Sequence, residues 1–164
     1  MIGHRSNEIG PRMSLESVKQ FFRDNAPDIV VIELAVSTAT VELAAAAHGV
    51  EPGQIAKTLA IKIDDETILL VAKGTARLDN KKFKARFAAK PRMLGLDEVE
   101  NATSHPVGGV CPFGLPKPLR VFCDVSLRDY PEVVPAAGDI HAAVRISPER
   151  MATLAGAEWV DVCQ

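Results

Sequence analysis

The chain has 164 residues, a formal net charge of -2, 47% hydrophobic residues and only 5% aromatic ones. That length favours one domain with one real core, and the charge gives no global sign of nucleic-acid binding. No apolar run approaches the roughly 18 residues a membrane span needs, and the opening MIGHRSNEIGPRMS has no apolar signal-peptide segment.

Residues 1–13 therefore read as a flexible lead, and residues 14–164 as a single domain. Ser14 is placed to cap a helix running to Asn25, with Leu15, Val18, Phe21 and Phe22 on one face and Pro27 beyond its end. The β-branched DIVVIEL (28–34) predicts a strand. VELAAAAHG follows Ser37, Thr38 and Thr40 and predicts a small-residue helix stopped by Gly49. IAKTLAIKI and TILLVAK, joined by Asp64-Asp65-Glu66, predict a hairpin. Asp79 caps a helix through NKKFKARFAAK, and a short helix is expected over 96–101. TSHPVGGVCPFG (103–114) reads as a loop. LRVFCDV, EVVPAAG and HAAVRIS read as strands, SPERMATLAG as a helix from a Ser147 cap to Gly156, and EWVDVC as a last strand.

This order predicts an α/β chain of α+β character. Its sheet is expected to be mixed and largely antiparallel, or a partly closed barrel, flanked by helices. The cysteines Cys111, Cys123 and Cys163 match no zinc spacing, and the four histidines do not pair at ligand spacing, so no metal is expected. An odd count of cysteines and the lack of a leader fit a reducing cytoplasm.

Three features carry possible chemistry. Lys57 shares strand parity with Leu59, Ile61 and Ile63, so its ammonium sits at the head of an apolar face and must find solvent or an anion. A lysine whose stem reaches out to water is the plainer alternative. The stretch 73–92 holds eight basic side chains and one acid, Asp79, whereas the other 144 residues carry 11 basic and 20 acidic ones. Such polarisation attracts polyphosphate; a solvated helix face is the alternative. In the 103–114 loop, Gly108-Gly109 frees the backbone and Pro106 and Pro112 stiffen it, a pattern able to aim successive amides at an anion or a carbonyl. Cys111 as a thiol nucleophile would need His105 or His141 as base, and nothing in the sequence places either beside it.

Taken together, GVEPGQIAKTLAIK, KGTARLDNKKF, SHPVGGVCPFGLPKPLRVFCD and VVPAAGDIHAAVRISPERMATLAGAEWVDV resemble, in that order, the YbaK family, over residues 37–162. These are aminoacyl-tRNA deacylases related to the editing domain of bacterial prolyl-tRNA synthetases. The resemblance implies a YbaK-like fold and a trans-acting proofreading hydrolase in translation. It would cleave the ester of a small mischarged residue such as Ala, Ser, Thr or Cys, on tRNA for proline, without cofactor or metal.

The resemblance also implies roles. Lys57 orients the terminal adenosine. Gly108, Gly109 and Val110, with Cys111 and Pro112 completing the GxxxP loop, bind the ester carbonyl. Thr58, Gly138 and His141 belong to the substrate pocket, and Lys81, Lys82, Lys84 and Arg86 to the tRNA surface. A synthetase is a further candidate partner, the chain acting as monomer or homodimer. Ala136 and Ala143 stand where cysteine-removing relatives carry a serine and an acidic residue, which argues against a substrate-thiol mechanism. A tRNA- or synthetase-binding module without catalysis is the rival reading.

Overall fold

The hairpin forms the centre of the molecule. In the computed structural model, which describes residues 10–164, β2 (Ile55–Ile63) and β3 (Glu66–Lys73) pair antiparallel along their whole length. The lead expected over 1–13 lies, in its first nine residues, outside the described residues. Before the hairpin come α1 (Gly10–Asn25), β1 (Ile32–Glu33) and α2 (Val41–His48). After it come α3 (Asn80–Phe87), β4 (Arg92–Met93), α4 (Leu96–Thr103), β5 (Arg120–Asp124), β6 (Val134–Pro135), β7 (Ala142–Ala143), α5 (Pro148–Ala155) and β8 (Glu158–Val160).

The sheet is mixed and open. Its order is β4-β2-β3-β5-β8, with β6 also against β2, while β1 and β7 pair apart from it. The pairs β3–β5 and β5–β8 are parallel, as crossovers carrying α3, α4 and α5 require. The strands β1, β6 and β7 are much shorter than their hydrophobic runs suggest, two residues each. Val30 in the first run is 72% exposed, and Pro135 ends the second by lacking an N–H.

Caps fix the helices where the sequence places them. Thr40 Oγ1 accepts from the Leu43 N–H, Asp79 from Lys81 and Lys82, and Ser147 from Arg150. α1 instead begins at Gly10, four residues before the Ser14 start, which leaves the Ser14 side chain free for another partner.

Strand alternation divides the core. Ala56, Ala60, Leu69, Val71, Val121 and Cys123 pack with α1 and α5, whereas Ile61, Ile63, Ile68, Leu70 and Phe122 pack with Phe83 of α3. Phe83 is fully buried, and a side chain of that size contributes roughly 1.5–3 kcal/mol. Among the described residues, no helix is long and apolar enough to cross a membrane.

One consequence of this topology positions the site. β6 lies against Ile55 and Ala56, and β4 against Ile61 and Lys62, on the edge of β2 opposite β3. Between them, residues 57–60 have no strand beside that edge, and Ala60 alone of these is met there, by the Leu94 N–H.

Candidate active site

That gap opens into a cavity of about 310 Å³. Its floor is β2 from Ile55 to Ala60. Its walls are the segment Thr38–Val41 ahead of α2, Met93 and Leu94, Leu96 and Val99 of α4, the loop residues Val107, Gly108 and Val110, and Val134, Ala136, Ala142 and Ala143. Alanines on several walls make room, and no carboxylate lines the cavity among the described residues.

Lys57 and Thr58 leave opposite faces of β2. The Lys57 side chain takes the face of Leu59 and Ile61, and its Nζ donates to the carbonyl oxygens of Gly74, at 3.3 Å, and Ala76. The neighbouring Gly74 carbonyl belongs to the turn after β3, so the hairpin that carries the lysine also holds its head. Burial pushes the ammonium below the ordinary lysine value, an effect partly opposed by Cys163 and Glu42. Thr58 shares its face with Ala56 and Ala60, and its Oγ1 is buried with no partner among the described residues.

The glycine loop is held by close backbone approach. Gly108 adopts φ +92°, and a Cβ there would stand 3.0 Å from the Ala39 Cβ. A Cβ on Gly109 would stand 2.6 Å from the Asp139 nitrogen. The Gly109 N–H donates to Pro106 at 2.8 Å, and the Gly109 carbonyl accepts from the Gly138 N–H at 2.9 Å. The loop is thus clamped between the approach to α2 and the turn at Asp139, with Gly108 and Val110 facing the cavity.

Cys111 and Pro112 turn the other way. Both are buried, and the next residue, Phe113, packs on Phe22 with ring centroids 4.8 Å apart. The structure does place His105 beside the thiol, with Sγ 3.6 Å from Nε2. His105 Nε2 also faces the Phe113 carbonyl at 2.8 Å; an oxygen can only accept, so Nε2 carries the proton and Nδ1 accepts from the Ser14 hydroxyl. A protonated Nε2 cannot take the thiol's proton, and burial pushes Cys111 up to about 12. The thiol therefore lacks both a base and access.

The cavity thus joins Lys57, Thr58, Gly108 and Val110. Gly109 and Gly138 lie behind the loop. His141 stands in a separate shallow depression with Asp139 and Leu34, its Nδ1 3.0 Å from the Val36 carbonyl. On α3, Lys82 pairs with Asp161 at 3.0 Å and Arg86 with Glu158, whereas Lys81 and Lys84 border a concave surface with Lys90 and Pro91. The sequence marks Thr38 and Thr40 only as the approach to α2, and gives no sign that Thr38–Val41, Met93, Leu94 and the apolar residues of α4 wall the cavity. Nor does it reveal the Ser14–His105 bond, which joins residues 91 positions apart.

A profile of the aminoacyl-tRNA editing domain matches residues 35–154. "Uncharacterized protein YwhH" of Bacillus subtilis (strain 168) is 42% identical over 154 residues, covering 93% of this chain and 98% of that protein. The crystal structure of "a putative trans-editing enzyme for prolyl tRNA synthetase" superposes with a TM-score of 0.85 at 33% identity, covering 92% of this chain and 97% of the other. The crystal structure of "hypothetical protein APE2540" gives a TM-score of 0.83 at 28% identity, over 90% and 99% of the two chains.

Proposed function

Because the chain belongs to the aminoacyl-tRNA editing domain family, we propose that residues 14–164 act as one trans-acting domain that hydrolyses the ester of a mischarged tRNA. The observation that carries this reading is the cavity itself, which brings the Lys57–Thr58 stretch of β2 together with Gly108 and Val110 of the glycine loop around one largely apolar space. The relative whose name specifies trans-editing for prolyl tRNA synthetase supports tRNA for proline as the carrier.

The chemistry follows from what lines the cavity. An aminoacyl ester is already activated, so water attacks its carbonyl carbon once the ester is held and the developing oxyanion meets donors. The main-chain amides of Gly108 and Val110, the loop residues that line the cavity, supply those donors; one such group is typically worth about 3 kcal/mol. The bond to the ribose oxygen then breaks, and the products are the free amino acid and a tRNA with its terminal hydroxyl restored. With no carboxylate lining the cavity among the described residues, the neighbouring ribose hydroxyl relays the water's proton to the leaving oxygen.

Lys57 has three N–H donors and spends two on the Gly74 and Ala76 carbonyls. The third is left for a ribose or phosphate oxygen of the terminal adenosine. The limited volume and alanine-rich walls suit a small side chain, from the set Ala, Ser, Thr and Cys. The acceptor strand lies on the basic side formed by α3.

A deacylation screen of Ala-, Ser-, Thr- and Cys-charged tRNA for proline tests the reading. We expect hydrolysis of at least one, abolished by Lys57→Ala in protein that circular dichroism reports as folded. Full activity in that variant overturns the role of Lys57. tRNA binding without hydrolysis of any species favours a binding module.

A further inference from the structure

The least explained polar group in the cavity is Thr58. Burying a hydroxyl without a partner is costly, yet Thr58 Oγ1 is buried and unpaired among the described residues. Its main chain tells the same story. The Gly74 N–H donates to Ile55 O at 2.7 Å on the β3 side, and the Leu94 N–H donates to Ala60 O at 3.2 Å on the opposite side. Along a strand, the N–H and C=O of one residue point to the same edge and alternate with those of the next. Odd residues of β2 therefore bond to β3, and even residues point to the far edge. Ala56 meets β6 and Ala60 meets Leu94 there, but Thr58 falls in the gap between β6 and β4. Thr58 thus turns an N–H and a C=O toward the gap at the cavity floor, with its buried, unpartnered hydroxyl on the same residue.

These groups have a chemical complement. In an antiparallel hydrogen-bonded pair, one residue exchanges both its N–H and its C=O with one residue opposite. An α-aminoacyl ester carries the same two functions on adjacent carbons, an α-ammonium donor and a carbonyl acceptor. No acid lines the cavity among the described residues, and its other hydroxyls are engaged: Thr38 donates to Ile140 O at 2.7 Å, and Thr40 caps α2.

We propose that Thr58 reads the main-chain atoms of the substrate's amino acid, as a one-residue strand pairing. Its carbonyl and hydroxyl accept from the α-ammonium, and its N–H donates to the ester carbonyl on the side away from the glycine loop. The site then selects a free α-amino group, so N-acylated and peptidyl esters are excluded whatever their side chain. This deepens the deacylase reading and rests on it for the identity of the ligand.

The test separates the two. Binding of an amide-linked alanyl analogue of aminoacyl adenosine, and of its N-acetyl form, is measured by calorimetry, which needs no hydrolysis. The wild type is expected to bind the free-amine analogue about tenfold or more tightly than the acetylated one, as a lost bond to a charged group implies. Thr58→Val should erase most of that preference and raise the melting temperature of the unliganded protein, since it removes a buried, unpaired hydroxyl. Thr58→Ser should keep most of the preference. A merely structural threonine would not couple higher stability to lost discrimination.

Equal binding of both analogues, no binding of the free-amine form, or equal weakening of both by Thr58→Val overturns the proposal. The predicted binding pattern without hydrolysis of any aminoacyl-tRNA supports it and overturns the deacylase reading.

Discussion

Gly109→Ala isolates what the glycine loop does. The added Cβ would lie 2.6 Å from the Asp139 nitrogen and 2.9 Å from its Cα and carbonyl carbon, all main-chain atoms without rotamers to yield. Reaching the 3.4 Å of ordinary contact requires a backbone shift of about 0.8 Å. Overpacking of this kind costs about 1–3 kcal/mol, and the same shift strains the bond from Gly138 N–H to Gly109 O. For a chain of this size, about 2 kcal/mol lowers the melting temperature by roughly 4–8 °C. The larger effect falls on rate. Gly108 and Val110 move with Gly109, and a misplacement near 1 Å in a catalytic group can cost up to about a hundredfold. Thermal melts followed by circular dichroism and single-turnover deacylation read the two effects. Gly49→Ala is the control: its left-handed conformation costs about 1 kcal/mol, but no atom crowds its Cβ and the residue does not line the cavity. A Gly109→Ala protein with wild-type melting temperature and rate would refute the reasoning.

Cys111→Ser should retain deacylation, and native protein should resist iodoacetamide at neutral pH, because the thiol is fully buried and pushed up to about 12; rapid alkylation with loss of activity would restore a thiol mechanism. Burial holds His105 below its ordinary 6.5, so the unfolded chain takes up the proton first as pH falls. Its contribution to stability is complete above pH 6.5 and is lost as pH drops through the folded value. Melting temperature should therefore fall more steeply below pH 6.5 in the wild type than in His105→Gln; His48, also held low by burial and by Arg145, acts in the same sense in both proteins. Lys81→Glu with Lys84→Glu should weaken tRNA binding and reduce the salt dependence by roughly one unit of log–log slope per lost phosphate contact, whereas Lys82→Gln should change it less, because Lys82 already pairs with Asp161. Filter binding across a salt series decides this, and equal effects would refute the division of α3.

The elements legible in the sequence are those whose signals are local. The β2–β3 hairpin has an aliphatic, β-branched run on each arm and a short acidic turn, and α2, α3 and α5 have side-chain caps at Thr40, Asp79 and Ser147. DIVVIEL and HAAVRIS share the β-branched composition of strands, but the length of a strand depends on its partners. β1 finds only β7, and the two pair over just two residues. The same division holds for the candidate site. Lys57 and Gly108 stand out by residue type, whereas the role of Thr58 depends on which edge its main chain faces and on two distant short strands stopping on either side of it. The Lys82 and Arg86 ion pairs were hidden because their acids, Asp161 and Glu158, lie over 70 residues away.

The gap in the edge of β2 also bears on solubility. A long unpaired strand edge is a template on which other chains add strands, the route to edge-to-edge aggregation. Here β6 and β4 cover Ile55–Ala56 and Ile61–Lys62 of β2 and leave only residues 57–60 between them, with Ala60 already bonded by Leu94, in a recess walled by α4 and the glycine loop. An extended segment of a neighbouring chain would have to run on past both covering strands to gain more than one residue's bonds. A ligand the size of one amino acid meets no such obstacle. The opening thus exposes main-chain polarity to small molecules while denying it to polypeptides.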